Sequence, residues 1–275
     1  ITDKKNNVII QSDKIIYNKK KEIISSDKID NQVIITDKKN NVIIQSDKII
    51  YNIKKEIISS LGDTFANLQN KYEINSTELV HNRNNMEIYS SKKSKIEDSL
   101  GNIFELESFK FNINEKLLKA KNITLFDTKN NKYSLKNSIV NLNTNEIIGS
   151  DISIDFDNSL FGNKKNEPRL KGRSLISNEN ESIIYKGSFT TCKKNKDKCP
   201  PWTMLAGEIK HKKVEKTIEY RNAWLKIYDK PVVYFPYFSH PDPTVDRQSG
   251  FLAPSFINSS NSGTSLQIPY YKVIS

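Results

Sequence analysis

The first sixty residues contain a near-perfect tandem duplication. The segment ITDKKNNVIIQSDKIIYNKKKEIISS at residues 1–26 returns as ITDKKNNVIIQSDKIIYNIKKEIISS at residues 35–60, and the two copies differ only at Lys19 and Ile53. A copied unit is tolerated most easily where each structural repeat contacts only its neighbours. The duplication therefore predicts a stack of repeated units.

Each copy alternates short β-forming runs with polar turns. The runs NVIIQ, KIIY and EIIS are separated by DKKNN and YNKKK, a pattern typical of strands joined by hairpin turns. The same rhythm continues to about residue 155, and helical periodicity is nowhere sustained. We therefore predict an all-β fold in which residues 1–155 form the stacked antiparallel strands of a jelly roll or sandwich. Two facing sheets left open along one side would enclose an apolar trough suited to acyl chains, whereas closed sheets would enclose an ordinary core of Ile, Leu and Phe.

The chain is basic and has no helical membrane span. It carries 43 Lys+Arg against 32 Asp+Glu, a formal charge of +11, which favours an anionic partner such as nucleic acid, phospholipid headgroups or a phosphorylated glycolipid. The cations are scattered singly, without the clusters and stacking aromatics that nucleic-acid binding requires, and abundant Lys, Asn and Ile are also what an AT-rich genome encodes. No run approaches the roughly 18 apolar residues of a membrane helix, whereas the weaker alternation of membrane β-strands is compatible with the sequence.

Residues that could carry catalysis or bind a metal are sparse. His81, His211 and His240 lie far apart, and each is predicted to be a solvated residue of a polar turn. The sequence contains no hydrolase motif, phosphate-binding glycine loop or dinucleotide fingerprint. We therefore expect no enzymatic activity, no metal and no cofactor.

The two cysteines, Cys192 and Cys199, enclose the segment CKKNKDKC. A zinc site needs about four ligands, and no second Cys/His pair completes one. A local disulfide, which would stabilise the fold by about 2–3 kcal/mol on the loop-entropy model, and bonds to cysteines elsewhere are both compatible with the sequence. Free thiols are expected only in a reducing compartment.

The stretch PVVYFPYFSHPDPTVDRQSGFLAPSF at residues 231–256 departs from the Lys, Asn and Ile of the rest of the chain. Its run PVVYFPYF is typical of an aromatic, proline-broken strand of the kind found at a membrane–water interface. SHPDPTVDRQSG is predicted to be a stiff turn, followed by two strands, GFLAPSFINSS and TSLQIPYYKV. Pro254 and Pro269 lie within these two strands, and each would remove a ladder hydrogen bond.

Four segments, in this order, resemble the OstA/Imp family of outer-membrane lipopolysaccharide-assembly proteins: PRLKG (168–172), GSFTTC (187–192), PPWTMLAGEI (200–209) and the stretch from IYDKPVVYFPYF to GTSLQIPYY (227–271). Residues 1–155 share only the general rhythm of OstA-type repeats. The resemblance implies that residues 1–240 form a periplasmic OstA-like β-jelly roll, and that residues 241–275 form a junction and the first hairpin of a transmembrane β-barrel. Only 25 residues follow Gly250 in the chain of 275, enough for about two barrel strands where the smallest bacterial barrels have eight. We therefore expect the chain to be the N-terminal part of a longer protein whose barrel is truncated.

The function that the resemblance implies is lipopolysaccharide transport and assembly at the outer membrane. The jelly roll would receive lipopolysaccharide from a periplasmic OstA-type bridge protein and pass it to the barrel with its lateral gate, and an outer-membrane plug lipoprotein would partner the barrel. The protein would lie in the outer membrane of a Gram-negative bacterium, with this portion mainly in the periplasm. Alternatives of other classes are a structural or adhesive surface β-solenoid and a self-contained periplasmic bridge protein.

The resemblance also implies roles for single residues. Pro254 and Pro269 match positions that keep the lateral gate loose, and Cys192 matches a periplasmic cysteine that bonds to the barrel, whereas Cys199 departs from the family's pattern. The predicted junction comprises Pro236, Pro241, Pro243, Arg247 and Gly250. The residues predicted to line the lipid trough are Ile113, Ile123 and Leu125.

Overall fold

The computed structural model describes residues 1–158, 166–194, 200–242, 245, 249–251, 255–259 and 263–272. Every helix or strand assigned among these residues is a β-strand, which confirms the all-β prediction. Packing separates the chain into two units, Ile1–Ser150 and Asp151–Ser275. The boundary between residues 240 and 241, which rests on the expected roles of the two parts, stays a prediction.

The strands are numbered in chain order. Those of the first unit are β1 (Thr2–Asp3), β2 (Val8–Gln11), β3 (Lys14–Asn18), β4 (Ile23–Asp27), β5 (Val33–Asp37), β6 (Val42–Asn52), β7 (Ile57–Leu68), β8 (Tyr72–Asn82), β9 (Glu87–Ser90), β10 (Ser94–Asp98), β11 (Ile103–Leu106), β12 (Ser108–Asn112), β13 (Leu117–Phe126) and β14 (Lys132–Asn141). β15 (Glu146–Asp155) lies across the division. The second unit continues with β16 (Arg169–Ser177), β17 (Glu181–Thr190), β18 (Trp202–Lys212), β19 (Thr217–Ile227), β20 (Lys230–Pro241), β21 (Gly250–Phe251), β22 (Ser255–Ser259), β23 (Gly263–Gln267) and β24 (Tyr270–Tyr271).

In the first unit, long strands bend and contribute to two layers, which we call layer A and layer B. All pairings in both layers are antiparallel, as predicted. Layer A comprises, in order of pairing, β1, β2, β5, the first half of β6, the second half of β7, the first half of β8, β10, β11, the second half of β13 and the first half of β14. Layer B comprises β3, β4 and the other halves of β6, β7 and β8, followed by β9, β12 and the other halves of β13 and β14. Each copy of the tandem repeat thus adds two strands to each layer.

Buried hydroxyl groups mark the bends between the layers. The register shifts between Ser46 and Lys48 in β6 and between Leu61 and Thr64 in β7. At this interruption of the ladder, the Ser46 and Thr64 hydroxyls lie 2.9 Å apart, and Thr64 donates to the Ser60 hydroxyl at 3.1 Å. The bends of β6 and β7 therefore keep these hydroxyl groups bonded although they are buried.

Gly62 allows the bend in β7, and replacing it with alanine is expected to lower the free energy of unfolding by about 1–3 kcal/mol. Its φ is +88°, and an added Cβ would lie 2.6 Å from Oδ2 of Asp47, which accepts a hydrogen bond from the Asp63 amide at 2.8 Å. Urea denaturation measures the loss. Gly101→Ala is the matched control, because its φ is +85° but the nearest atom to a Cβ, in Thr128, is 3.8 Å away. Equal losses in the two variants would show that the contact with Asp47 plays no part.

The turns of layer B repeat one structure. The first residue of each turn is an asparagine whose side chain accepts a backbone N–H three residues later, and the fifth residue has a left-handed backbone. The asparagines are Asn18, Asn52, Asn82, Asn112 and Asn141, and the left-handed residues are Glu22, Glu56, Met86, Lys116 and Asn145. From the second turn onward, the amide of the second residue donates to the carbonyl of the fifth residue in the preceding turn, at 2.7–3.0 Å. The turns are therefore stacked in a ladder of their own.

In the second unit, β16 to β20 pair as consecutive antiparallel neighbours. Beyond them, β22 pairs with β23 and β21 with β24, so the two strands predicted after Gly250 form a hairpin. Pro269 was predicted inside a strand, but it lies between β23 and β24, where its missing N–H interrupts no ladder bond.

Candidate functional site: the interior and seam of the jelly roll

A buried ionic cluster joins the two layers of the first unit on the side opposite the bends, which we call the seam. Arg83, in a layer B turn, donates through Nε to Oδ2 of Asp37, in a layer A turn, at 2.8 Å. The same oxygen lies 3.1 Å from Nε2 of His81. The Asp37, His81 and Arg83 side chains are at most 2% exposed. Arg83 also donates to the Tyr51 hydroxyl and to the Glu56 carboxylate, both at 3.3 Å. We call these five residues the latch.

The protonation states of the latch follow from its contacts. Burial alone would raise the pKa of Asp37, but hydrogen bonds from His81 and Arg83 and the charge of Arg83 outweigh it and hold that pKa well below 3.8. Burial raises the pKa of Tyr51 to about 12, although the charge of Arg83 acts in the opposite direction. His81 faces two acceptors, the Asp37 carboxylate and the carbonyl of Glu87 at 3.3 Å. Both contacts can be hydrogen bonds only when both ring nitrogens carry protons.

The turn ladder explains why the latch forms at one position. Successive layer B turns begin Tyr-Asn-Lys (17–19), Tyr-Asn-Ile (51–53), His-Asn-Arg (81–83), Phe-Asn-Ile (111–113) and Val-Asn-Leu (140–142). Only the third turn has two nitrogen-bearing side chains, His81 and Arg83, where its neighbours place apolar or aromatic residues. Aligning the turns would have revealed the His81–Arg83 pair from the sequence.

Each level of the stack, formed by facing strands of layers A and B, is called a rung. The interior of the N-terminal rungs is closed. The side chains of Ile35 and Ile44 from layer A and of Ile58 and Leu79 from layer B are each at most 1% exposed. This is the packing of an ordinary sandwich core. The sequence was compatible with either an open trough or a closed core. In this conformation the N-terminal rungs have the closed core.

The second unit leaves part of its inner face accessible. We define that face by Trp202, Met204, Tyr220 and Leu225, which are buried. The pairing register places Val233 opposite Leu225, Phe235 opposite Ala223 and Phe238 opposite Tyr220, so these three β20 side chains lie on the same face. All three are half-exposed. The inner face of β20 is therefore an apolar surface within reach of a ligand.

The run PVVYFPYF divides its aromatic residues between the two faces of the sheet. Phe235 and Phe238 lie on the inner face, whereas Tyr234 and Tyr237 lie on the outer face and are 44% and 53% exposed. The alternation of side chains between the two faces is interrupted at Pro236. This proline lies opposite Asn222, a residue with a left-handed backbone, and the two make no ladder pair. A proline is tolerated there because no ladder bond requires its N–H.

An aromatic cluster closes the end of this inner face. Tyr220 stacks on Phe238 with ring centroids 4.4 Å apart, and its hydroxyl lies 3.1 Å from Nε2 of His240. His240 Nδ1 donates to the carbonyl of Pro241 at 2.7 Å, so Nε2 accepts from Tyr220. Burial lowers the pKa of His240, although the Pro241 carbonyl and the charge of Asp242 raise it. The neutral ring therefore has both nitrogens satisfied.

The prediction that the histidines are solvated turn residues was wrong. His81 lies in β8 and is fully buried, His211 lies in β18 with Nε2 2.6 Å from Oδ2 of Asp242, and His240 lies in β20. The three histidines are far apart in the sequence, which therefore does not show that the folded β-sheet places each of them beside a hydrogen-bond acceptor.

The predicted trough residues occupy different parts of the first unit. Ile113 follows β12 and is 2% exposed, and Ile123 in β13 is 3% exposed. Leu125 lies on the same face of β13 as Ile123 and is half-buried. Two of the three are thus inaccessible to a lipid in this closed state, and their role stays a prediction.

The predicted junction and cysteine residues are described only in part. Pro236 and Pro241 belong to β20, and Gly250 begins β21. Cys192 is half-buried, with its sulfur 3.9 Å from the carbonyl of Trp202. The predictions for Cys199, Pro243, Arg247 and Pro254 lie outside the described residues.

The residues that the structure describes contain neither a candidate metal site nor a candidate membrane-spanning helix. No group of three or more His, Cys, Asp or Glu side chains within them is placed to hold a metal ion. No helix in this part of the chain is long and apolar enough to cross a membrane.

Comparison with curated proteins found similarity to LPS-assembly protein LptD. The chain is 30% identical to LptD of Idiomarina loihiensis over 135 residues, which are 46% of this chain and 17% of that protein. It is 36% identical to LptD of Aeromonas hydrophila over 100 residues, covering 36% and 12%, and 49% identical to LptD of Francisella tularensis subsp. novicida over 53 residues, covering 18% and 6%. The chain thus spans less than a fifth of the length of these relatives.

The chain was also compared with family models and with solved structures. No family model matches the chain. Among solved structures, the chain is similar to LptH, the LptA-homologous periplasmic component of the lipopolysaccharide transport device of Pseudomonas aeruginosa, with a TM-score of 0.38 and 12% identity over 44% of this chain and 86% of that one.

Proposed function

We propose that this chain, a relative of the LptD proteins, takes part in lipopolysaccharide transport and assembly by carrying acyl chains on the inner face of its jelly roll. The half-exposed Val233, Phe235 and Phe238 carry this proposal, because an accessible apolar face is the surface on which acyl chains are removed from water. The excess of Lys and Arg suits the phosphates and acidic sugars of the same ligand. Transfer breaks and forms no covalent bond, so it requires no catalytic residue.

One proposed partner follows from an edge of the first unit. β3 pairs only with β4 among the described strands, and its Ile16 and Tyr17 are each 50% exposed. Such an edge can accept a strand from a periplasmic OstA-type bridge protein. The junction that follows the jelly roll in the chain would deliver lipid to an outer-membrane barrel with its plug lipoprotein, and this portion of the protein would lie mainly in the periplasm.

Transport along the first unit would require its layers to part. The N-terminal interior is closed, and the latch is the buried polar contact that joins the layers there. In this proposal Ile113, Ile123 and Leu125 meet lipid only in an opened state. Pro254 would loosen the lateral gate by removing a ladder bond, whereas Pro269 would act there by ending a strand, and Cys192 would bond either to Cys199 or to the barrel.

The proposal is tested by site-specific photocrosslinking to lipopolysaccharide in living cells, with the chain in its full-length protein. A photoreactive residue at Phe235 or Phe238 is expected to form lipid adducts that depend on cellular ATP, because both side chains lie on the accessible inner face. The matched controls are Tyr234 and Tyr237, which lie on the same strand but on the other face. Photoreactive residues at Ile113, Ile123 and Leu125 would report whether lipid enters the first unit.

Equal adducts on both faces of β20, or none on either face in folded outer-membrane protein, would contradict the proposed path. The second result would instead favour a structural or adhesive β-solenoid. A self-contained bridge protein would give inner-face adducts without attachment to the outer membrane.

A further inference from the structure

The outer face of β16 to β20 carries two rows of side chains that the proposed lipid path does not use. Successive pairing places Lys171, Ser188, Leu205, Trp224 and Tyr234 in one row. The neighbouring row contains Ser174, Tyr185, Glu208, Arg221 and Tyr237. Trp224 and Tyr185 are 42% and 37% exposed, so four large aromatic rings stand partly in water on one sheet face.

The rings are held in place but not covered. Trp224 and Tyr234 are in contact, with centroids 5.0 Å apart, and the Tyr234 hydroxyl donates to Oδ1 of Asn222 at 3.0 Å. Cross-strand contact stabilises the sheet, yet it leaves about half of each ring outside. Trp and Tyr combine an apolar ring with a polar edge, which makes them the residues favoured at membrane–water interfaces.

Exposed cations lie near the rings: Lys171 shares a row with Trp224 and Tyr234, and Lys186 lines the same surface pocket as Trp224. Lys171, Arg173 and Lys186 are exposed, and among the described residues no ion pair involves any of them. Arg221 lies 3.7 Å from Glu208, whose carboxylate is the acidic group of the two rows. This face therefore has an excess of cations that complements an anionic lipid surface.

We propose that the outer face of β16 to β20 docks on the surface of an anionic phospholipid bilayer, with Trp224, Tyr234 and Tyr237 in the headgroup region and Lys171, Arg173 and Lys186 against lipid phosphates. This docking does not rest on the lipopolysaccharide path, which uses the opposite face of the same strands. It would hold the sheet close to the membrane that receives its cargo.

The test uses the full chain with Trp202 replaced by phenylalanine, so that Trp224 is the remaining tryptophan. Vesicles of phosphatidylglycerol and phosphatidylethanolamine, without lipopolysaccharide, are expected to shift the Trp224 emission to shorter wavelength, and brominated acyl chains are expected to quench it. Phosphatidylcholine vesicles should bind more weakly. Lys171→Gln and Lys186→Gln should each weaken partitioning about fivefold, and the double variant Tyr234→Ser, Tyr237→Ser should weaken it further.

The matched control is the double variant Lys38→Gln, Lys39→Gln, which removes exposed cations from a turn of the first unit. It should bind vesicles as well as the parent chain does. All variants keep the hairpin of β22 and β23, so any binding through that hairpin stays constant. Docking is overturned if Trp224 emission is unchanged by vesicles that bind the chain, if the chain does not bind these vesicles, or if the control loses as much binding as Lys171→Gln with Lys186→Gln. Inner-face crosslinks at Phe235 and Phe238 would persist in each of these cases if the proposed function is correct.

Discussion

Replacing Asp37 with alanine is expected to lower the free energy of unfolding by about 3–5 kcal/mol, because the buried Arg83 guanidinium loses the carboxylate that it contacts through Nε and Nη2 and keeps only the half-buried carboxylate of Glu56. The loss should be concentrated where the latch joins the layers. Hydrogen exchange should therefore show reduced protection in β5, β6 and β8, and urea denaturation should report the total loss. An Arg83 side chain that stays buried without Asp37 is the costly species, and a variant that loses less than 1 kcal/mol would mean that Arg83 reaches water.

The tandem repeat supplies the control for this experiment. Asp3 occupies the same place in the first copy and makes the same local bonds: it accepts from the amides of Lys5 and Asn6 and from the Asn6 side chain, as Asp37 does from Lys39 and Asn40. Asp3 has no bond to Arg83. Asp3→Ala should therefore cost only about 1 kcal/mol for the lost turn bonds, and the difference between the variants isolates the ionic contacts across the seam.

The low pKa of Asp37 also predicts the sign of the pH dependence. A carboxyl whose folded pKa lies below its unfolded value of 3.8 adds stability that is complete above that value and is lost as the pH falls through it toward the folded pKa. The parent chain should thus lose stability more steeply than Asp37→Ala between about pH 5 and pH 2. Parallel pH profiles would contradict the assignment of Asp37 as the buried anion.

Sequence patterns predicted the strands because the strands depend on local chemistry. The alternation of Ile and Val with polar residues, and turns rich in Asn, Asp and Lys, are sufficient to specify antiparallel strands and their approximate ends. The hairpin after Gly250 was predicted from the same signals. The split of PVVYFPYF between two faces was not, because it depends on the ladder skipping Asn222 opposite Pro236.

The interior and the latch could not be predicted from local sequence, because they depend on which segments face one another in the fold. The runs NVIIQ and KIIY were predicted as separate short strands, but in the second copy they form the single strand β6, which bends and joins both layers as β7 does. Gly62 is the local signal at the bend in β7. Asp37 and Arg83 are separated by 46 residues and become neighbours only when the layers face each other across the seam. His81 belongs to no catalytic motif, and its sequence shows a special role only when its turn is aligned with the turns before and after it.

Removing one copy of the repeat is expected to leave a folded protein whose first unit is shorter by about 10 Å, since two strands leave each layer and strands are spaced about 4.8 Å apart. The structural reason is that the strands of each copy pair only with adjacent strands, apart from one longer contact, the bond that Arg83 donates to the Asn6 carbonyl at 2.6 Å. Deleting residues 1–34 keeps Asp37 and its contact with Arg83. Deleting residues 27–60 instead joins the first copy to Leu61, which places Asp3 in the position of Asp37.

These two deletions yield proteins that differ at a single position, where the first retains Ile53 and the second retains Lys19. Both should unfold cooperatively in circular dichroism, and both should expose the same edge sequence, KIIYN, to a bridge protein. Ile53 is half-buried in an internal rung, whereas Lys19 is exposed at the end of the stack, so the Lys19 protein should be at least as soluble and as stable. If only the Ile53 protein loses cooperative unfolding, the cause is the apolar turn residue Ile53, which the deletion exposes at the end of the stack. Loss in both would show that the fold requires two copies and that the rungs are not independent additions to the stack.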